Sequence, residues 1–171
     1  MSSKRCITKV RTSRIKFDEA PFWKDTDSEY FPEDAGIPRV NTCGGVLCCG
    51  KGKQDSLDLG LRIEELLQNR EFPVKLYVSV CGCQSRCSVS CFKDIGVVGL
   101  DGGWDLFVGS GSGEIMPARK LASEIFSEKV LKAVNMIADF YSPKYNGKNT
   151  LADSIESIGF ENFREEVLRE N

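Results

Sequence analysis

Residues 74–91 read VKLYVSVCGCQSRCSVSC, and this stretch decides how the rest of the chain is interpreted. Its first seven residues alternate between apolar and polar side chains, which is typical of a half-buried strand. Four thiols follow that strand closely, at Cys81, Cys83, Cys87 and Cys91. Thiols clustered in this way indicate metal binding or redox chemistry rather than packing alone.

A second group of thiols precedes the strand, in the stretch CGGVLCCGKGK of residues 43–53. Seven of the 8 cysteines in the 171-residue chain therefore fall between Cys43 and Cys91. This proportion is below the roughly 8–10% that is typical of a disulfide scaffold. The N-terminus shows no secretory signal, so we expect a cytoplasmic protein whose cysteines stay reduced.

The spacing singles out two cysteine pairs, Cys43 with Cys49 and Cys83 with Cys87. A cubane iron–sulfur cluster needs four thiolates at the corners of a compact site, and two such pairs can supply them. Four sulfurs also suit zinc, and thiols without a metal are the third possibility. The chain contains no histidine, which excludes imidazole ligands and histidine-activated nucleophiles.

The composition, with 41% hydrophobic and 28% charged residues, is that of a globular protein of about one domain. The formal net charge of −2 argues against nucleic acid as a partner. No apolar run approaches the roughly 18 residues that cross a bilayer, so we expect no membrane association.

Two segments are predicted, an N-terminal arm over residues 1–36 and one domain over residues 37–171. Alternating apolar residues in the arm predict one or two short strands, the first around Ile7. The domain is predicted to be α+β, with a small mixed or antiparallel sheet covered by helices. Inside it we expect a helix over 56–68, with Ser56 as N-cap.

A hairpin and a helical tail are predicted for the rest of the domain. Short strands at 95–100 and 104–108 are joined by Asp-Gly-Gly, which is a hairpin signal. A 3.6-residue period then begins at Ser127, which is interpreted as the cap of a long helix. A capping box at Thr150 starts a shorter helix ending at Gly159, and a last helix is predicted over 160–168.

Several motifs, in order, resemble the sirohaem-dependent nitrite and sulfite reductases. TCGGVLCC from Thr42 resembles the first cysteine motif of that family, and GCQSRC from Gly82 resembles the second. The stretches LGLRIEELL, FPVKLYVS, DIGVVG and GWDLFVGSGSG match as well, so that the likeness covers about residues 37–168. The resemblance implies the fold of the family's 4Fe-4S and sirohaem domain, present here once where family members have two related halves.

The resemblance also implies the ligands of a 4Fe-4S cluster, which are Cys43, Cys49, Cys83 and Cys87. The last of these would also bridge the cluster to the iron of sirohaem. Cys48 or Cys81 would serve as a ligand after a small shift of register. The backbone would approach the cofactors at five glycines, namely Gly44, Gly45, Gly82, Gly109 and Gly111.

Basic residues near the two motifs are interpreted either as an anion shell or as solvated surface. They are Lys51, Lys53, Arg62, Lys75, Arg86 and Lys93. Lys75 and Arg86 lie just before and within the second motif. They are therefore the candidate catalytic residues, which would bind sulfite or nitrite and stabilise its developing charge.

Three functions remain open at this point. The resemblance implies an iron–sulfur redox protein with sirohaem that reduces sulfite or nitrite as an oligomer or a subunit. Its electrons would come from a donor such as ferredoxin, and a homodimer or a partner subunit would supply the missing half. The alternatives are a non-catalytic 4Fe-4S module for electron transfer or sensing, and a zinc or structural domain.

Overall fold

The structure is a computed structural model, and it describes residues 7–9, 36–85, 93–110, 118–142 and 149–169. These stretches contain strands β1 to β6, at Ile7–Lys9, Arg39–Cys43, Tyr77–Cys81, Ile95–Gly99, Trp104–Val108 and Arg119–Ile125. They contain helices α1 to α5, at Gly45–Cys48, Ser56–Leu67, Ser127–Phe140, Leu151–Ile158 and Phe160–Leu168. Among the same residues, no helix is long and apolar enough to cross a membrane.

The six strands form one mixed sheet in which they lie in chain order, from β1 to β6. β2, β3 and β4 run parallel, whereas β1, β5 and β6 pair antiparallel with their neighbours. Cys43, Cys81 and Gly99, the last residues of the parallel strands, therefore lie at one end of the sheet, which we call the carboxyl end. The opposite end, where these strands begin, is the amino end. The predicted α+β fold is confirmed, and β6 is a strand that the sequence analysis did not predict.

Helix α2 makes the crossover between β2 and β3 and packs on the sheet. It buries Leu59, Ile63 and Leu67 in the hydrophobic core, together with residues of the sheet and of α3. Gly60 allows the helix to lie close to β2, since a Cβ there would be 1.9 Å from Thr42 Cγ2. This close packing fixes where the start of α2 sits relative to the end of β2.

Two predicted helix caps are wrong by one residue. Asp55, rather than Ser56, is the N-cap of α2, where its carboxylate accepts two backbone N–H groups of the first turn. Phe126, rather than Ser127, is the N-cap of α3. Both serines instead use their hydroxyls outside the helix. Ser56 donates to the last residue of β2, and Ser127 accepts from the Trp104 indole at 3.0 Å.

The helical tail follows the sequence prediction closely. Thr150 and Asp153 form the reciprocal capping box at the start of α4. Gly159 ends that helix with a φ of +84°, a conformation that glycine adopts without strain. α5 then packs Phe163 edge-on against Phe140 of α3, with ring centroids 5.1 Å apart. The tail therefore covers the core, as predicted.

The N-terminal strand β1 confirms one short strand around Ile7. It extends the sheet beside β2, with Ile7 opposite Cys43 and Lys9 opposite Asn41. The predicted boundary between an arm and a domain stays a prediction, and residues 10–35 of the arm lie outside the described residues.

The amino end of the sheet is closed by aromatic rings and a largely buried carboxyl group. The rings of Phe72 and Tyr141 stack with centroids 5.7 Å apart, and the Tyr141 hydroxyl donates to Asn149 O at 2.9 Å. The Asp94 carboxylate accepts the Tyr77 N–H at 2.8 Å. Burial raises the pKa of Asp94 to about 6, against the opposing effects of that hydrogen bond and of neighbouring positive charge.

Candidate metal centre

Two loops meet at the carboxyl end of the sheet. The first follows β2 and carries α1 and Cys49, and the second follows β3 and carries Cys83. The Gly82 carbonyl accepts the N–H of Lys53 at 2.7 Å and of Gln54 at 3.1 Å. These bonds join the second loop to the first, so that cysteines distant in sequence stand on adjoining loops.

Glycines stand where the two loops touch. A Cβ on Gly82 would lie 2.6 Å from Gly45 Cα and 2.7 Å from the Gln54 carbonyl oxygen. Gly45 has a φ of +50°, and Gly44 before it is the N-cap of α1. The close approach of these glycines to a cofactor stays a prediction. What the structure adds is that Gly45 and Gly82 allow one loop to lie directly on the other.

The Cys43 sulfur lies at the centre of this contact. It is buried and accepts the N–H of Gly82 at 3.1 Å and of Gly45 at 3.4 Å, one from each loop. The Ser56 hydroxyl lies 3.2 Å from the sulfur and donates to the Cys43 carbonyl at 2.8 Å. The thiol of Cys81, at the end of β3, is also hydrogen-bonded to this sulfur.

These contacts favour the thiolate form of Cys43. The hydrogen bond from Cys81 has the largest effect, and the backbone N–H groups of Gly82 and Gly45 add to it against the opposing effect of burial. Together they lower the pKa of Cys43 from 9.0 to about 4. Because the thiolate is the form that binds metals, the sulfur is prepared as a ligand.

The other described cysteines, like Cys43, form no disulfide. Cys83 is buried and lines a cleft, and Cys49 is partly buried where α1 ends. Cys48, beside it, is exposed, whereas Cys81 is completely buried. No disulfide therefore removes a described cysteine from the set that could bind a metal.

Within the stretches that the structure describes, no three Cys, Asp or Glu side chains gather closely enough to hold a single metal ion. A cubane cluster differs from a single ion because each of its four thiolates binds a different iron atom. Cys87, the expected fourth ligand, lies outside the described residues, as do Arg86 and Gly111. Of the four expected ligands, Cys49 and Cys83 stand on the two joined loops, and Cys43 stands at the end of β2, where the first loop begins.

A cleft of about 350 Å³ opens in front of Cys83. Its charged lining residues are Lys51, Lys53, Asp101 on the turn between β4 and β5, and Glu124 of β6. Lys53 pairs with Asp101 at 2.9 Å, whereas Lys51 has no ion-pair partner among the described residues. The cleft therefore places two ammonium groups and two carboxylates beside a buried thiol, and Lys51 is the lysine whose charge is available to an anion there.

The remaining predicted residues lie away from the sulfurs. Lys75 precedes β3, and Gly109 follows β5 and donates its N–H to Asp94 O at 3.0 Å. Both are at the amino end, separated from Cys43 by a strand that spans roughly 16 Å. Lys93 also lies there, over the Tyr77 ring. The structure does not bring these residues to the cysteines, and the roles predicted for Lys75 and Gly109 stay predictions.

Three features of the site were not predicted. They are the contact of Cys81 with Cys43, the contact of Ser56 with Cys43, and the role of Gly99, where a Cβ would lie 2.7 Å from Gly82 O. The contact of Cys81 depends on the parallel register of β2 with β3. Ser56 was interpreted as a cap because it precedes a helical pattern. The sequence signal for the role of Gly99 was the presence of a glycine at the end of an apolar strand pattern.

Comparison with known protein families matches residues 33–171 to the nitrite and sulphite reductase 4Fe-4S domain. The chain belongs to this family, and the resemblance seen in its two cysteine motifs is confirmed.

Similar proteins are longer than this chain. A nitrite reductase [NAD(P)H] of Bacillus subtilis (strain 168) is 31% identical over 148 residues, which are 85% of this chain and 18% of that protein. The assimilatory-type sulfite reductase of Nitratidesulfovibrio vulgaris is 32% identical over 130 residues, or 75% of this chain and 60% of that protein. A nitrite reductase large subunit of Klebsiella oxytoca is 29% identical, over 77% of this chain and 14% of that protein. The chain thus spans less than two thirds of each relative.

Two solved structures share the fold. The NirA protein of Mycobacterium tuberculosis superposes with a TM-score of 0.65 at 18% identity, covering 78% of this chain and 27% of that one. Dissimilatory sulfite reductase I superposes with a TM-score of 0.71 at 12% identity, covering 80% of this chain and 53% of that one.

Proposed function

We propose that this chain binds a 4Fe-4S cluster through Cys43, Cys49, Cys83 and Cys87 and passes electrons through it. The observation that supports this most is the buried Cys43 sulfur, which accepts N–H groups from both loops. When bound, the cluster supplies one-electron redox chemistry. The chain supplies thiolates on two joined loops, and the burial of Cys43 and Cys83 keeps water away from those sulfurs.

Metal content tests the ligand set. We expect the anaerobically reconstituted chain to hold about four iron and four sulfide per chain. Cys43→Ser and Cys83→Ser should lose most of both, because each removes one corner of the site. Cys48→Ser is the matched control, since this exposed thiol lies in the same loop and is not a proposed ligand. Wild-type iron and sulfide content in Cys43→Ser would contradict the assignment.

We further propose that the loaded domain acts in the reduction of sulfite or nitrite, with Cys87 as the residue that bridges to sirohaem. Lys51 and Lys53 support this proposal because they line the cleft beside Cys83. Their ammonium groups would pair there with the carboxylates of sirohaem or with an anionic substrate. Lys75 and Arg86 are proposed as catalytic on the family resemblance alone.

Sirohaem retention and turnover test this second step. We expect the anaerobic protein to show sirohaem absorption and to oxidise reduced viologen when sulfite or nitrite is added. Lys51→Gln should weaken sirohaem retention, whereas Lys132→Gln, an exposed lysine on α3, should not. A protein that holds iron and sulfide but never sirohaem would instead be the non-catalytic electron-transfer module.

We also propose that a second copy of the chain covers the carboxyl end of the sheet. Val46 and Leu47 of α1 are 46% and 64% exposed next to the cysteine loops, and a partner would bury them. A dimer measured by light scattering of the loaded protein, dissociated by Leu47→Asp, is the expected result. A monomer at high concentration would exclude the dimer, and a different subunit or an electron donor such as ferredoxin would then be sought as the partner.

A further inference from the structure

Cys81 stands directly beside Cys43 although it belongs to neither pair of proposed ligands. It is the last residue of β3 and is 0% exposed. The parallel register pairs Thr42 with Val80, so the next residues, Cys43 and Cys81, are opposite each other on the two strand ends. Neighbouring strands lie about 4.8 Å apart, and the two thiols meet in a hydrogen bond.

Ser56 is also close to the Cys43 sulfur, but its single proton has another acceptor. Its hydroxyl donates to the Cys43 carbonyl at 2.8 Å and lies 3.2 Å from the sulfur. A hydroxyl has one proton, so Ser56 can donate to the sulfur only by giving up the carbonyl. When Cys43 binds a metal as a thiolate, its sulfur has no proton and can only accept. The Cys81 thiol is the side chain that can then donate to it without breaking the Ser56 bond.

We propose that Cys81 is a positioning residue for the cluster and not a ligand. Its S–H donates to the Cys43 sulfur in the loaded protein and raises the reduction potential of the cluster. This inference rests on the proposed function, because it requires Cys43 to bind iron. Reduction adds one electron from the external reductant, no bond breaks, and Cys81 keeps its proton. The added negative charge on the thiolate strengthens the hydrogen bond, which favours the reduced state.

The test compares Cys81→Ala and Cys81→Ser with the wild type after anaerobic reconstitution of the full chain. Iron and sulfide are quantified, and the midpoint potential is measured by a redox titration followed by paramagnetic resonance. Both variants should keep the cluster. The potential should fall in Cys81→Ala, which has no donor, and return towards the wild-type value in Cys81→Ser, which has one. Cys48→Ala, which removes an exposed thiol nearby, should leave the potential unchanged.

The outcomes separate this inference from the proposed function. A wild-type chain without iron and sulfide overturns both. A full cluster with an unchanged potential in Cys81→Ala overturns only the role of Cys81. Loss of the cluster from both folded Cys81 variants would make Cys81 a ligand, which also overturns it. A full cluster in both variants, with a lower potential in Cys81→Ala and a potential near the wild-type value in Cys81→Ser, supports the donor role.

Discussion

The two ends of the parallel strands β2, β3 and β4 differ in the kinds of residue that pack there. At the carboxyl end, Gly45 and Gly82 bring two backbones into contact, and polar hydrogens surround the Cys43 sulfur. At the amino end, the stacked rings of Phe72 and Tyr141 fill the space, and the carboxyl group of Asp94 is largely buried beside them. Backbone atoms therefore make the contacts at the carboxyl end, whereas large side chains make them at the amino end.

This difference indicates that one set of residues stabilises the fold and another assembles the site. Large side chains at the amino end contribute burial, which is the main favourable term in folding. Glycines at the carboxyl end contribute none, and they cost conformational entropy. Their presence there is explained by the approach of the two cysteine loops. Substitutions at the two ends should therefore affect metal content and stability in different proportions.

The largest effect is expected for Gly82→Ala, because it should lower both the stability and the metal content. The new Cβ would lie 2.6 Å from Gly45 Cα and 2.7 Å from Gln54 O, both backbone atoms. The loops must separate, which should cost about 2–3 kcal/mol of unfolding free energy, in the range known for overpacked sites. Most of the iron and sulfide should be lost with it. Chemical denaturation and metal analysis measure the two effects.

Gly50→Ala is the matched control for this substitution. Gly50 belongs to the same loop, and a Cβ there would meet nothing within 4 Å. We expect a change of less than about 0.5 kcal/mol, as for other surface substitutions, and full metal content. Equal losses in the two variants would show that the loop tolerates no side chain at all, rather than that Gly82 holds the loops together.

The second prediction is a pH dependence at the amino end. Because burial raises the pKa of Asp94 to about 6 from 3.8, the folded chain binds this proton more tightly than the unfolded chain. The resulting stabilisation is complete below pH 4 and is lost as the pH rises through 6. The shift corresponds to about 3 kcal/mol. Asp94→Asn cannot ionise, so the wild type should lose unfolding free energy relative to this variant as the pH rises through 6, and the variant should be the more stable of the two at pH 7.

Urea unfolding between pH 4 and pH 7 measures this difference. Glu165→Gln, which replaces an exposed carboxyl group on α5, should retain the pH dependence of the wild type. Parallel curves for the wild type and Asp94→Asn would mean that the carboxyl group is hydrated in the folded chain. Metal content at pH 7 should be equal in all three proteins, because Asp94 lies at the end opposite to the cysteines.

A smaller effect is expected for Tyr141→Phe, which keeps the stacked ring and removes only the hydroxyl. That hydroxyl donates to Asn149 O at 2.9 Å, and its loss should cost about 1–2 kcal/mol of unfolding free energy. Tyr77→Phe is the control, because no hydrogen bond of the Tyr77 hydroxyl is found among the described residues. Thermal unfolding should rank Tyr141→Phe below Tyr77→Phe, with iron content unchanged in both. Loss of iron in Tyr141→Phe would show that the two ends of the sheet are coupled.

Local patterns predicted the features that depend on a few neighbouring residues. The capping box at Thr150 and the hairpin before Trp104 are encoded within a turn of chain, and both are confirmed. Features that depend on distant contacts were missed. Ser56 does not cap α2 because its hydroxyl reaches β2, and the neighbour of Cys81 is known only once the register of two strands is known. β6 was missed because it is irregular, with Glu124 at a φ of +52°.

The smallest effects are expected for the ion pairs at the two ends. Lys53 pairs with Asp101 at 2.9 Å at the carboxyl end, with side chains 49% and 84% exposed. Arg70 pairs with Asp139 at 2.6 Å at the amino end, with side chains 29% and 57% exposed. Exposed pairs contribute only about 0–1 kcal/mol and weaken in salt. Asp101→Asn should therefore change the unfolding free energy less than Asp139→Asn.

Salt provides the check on this last comparison. At high ionic strength, the unfolding free energies of Asp101→Asn and Asp139→Asn should both lie closer to that of the wild type, because mobile ions screen exposed charges. The Arg70 guanidinium also donates to Asn135 at 2.6 Å, so it stays anchored when Asp139 is replaced, and part of the contact survives. A larger loss in Asp101→Asn would mean that the turn between β4 and β5 holds the cleft in front of Cys83. In that case the charge pair, and not only the glycines, would help to assemble the carboxyl end.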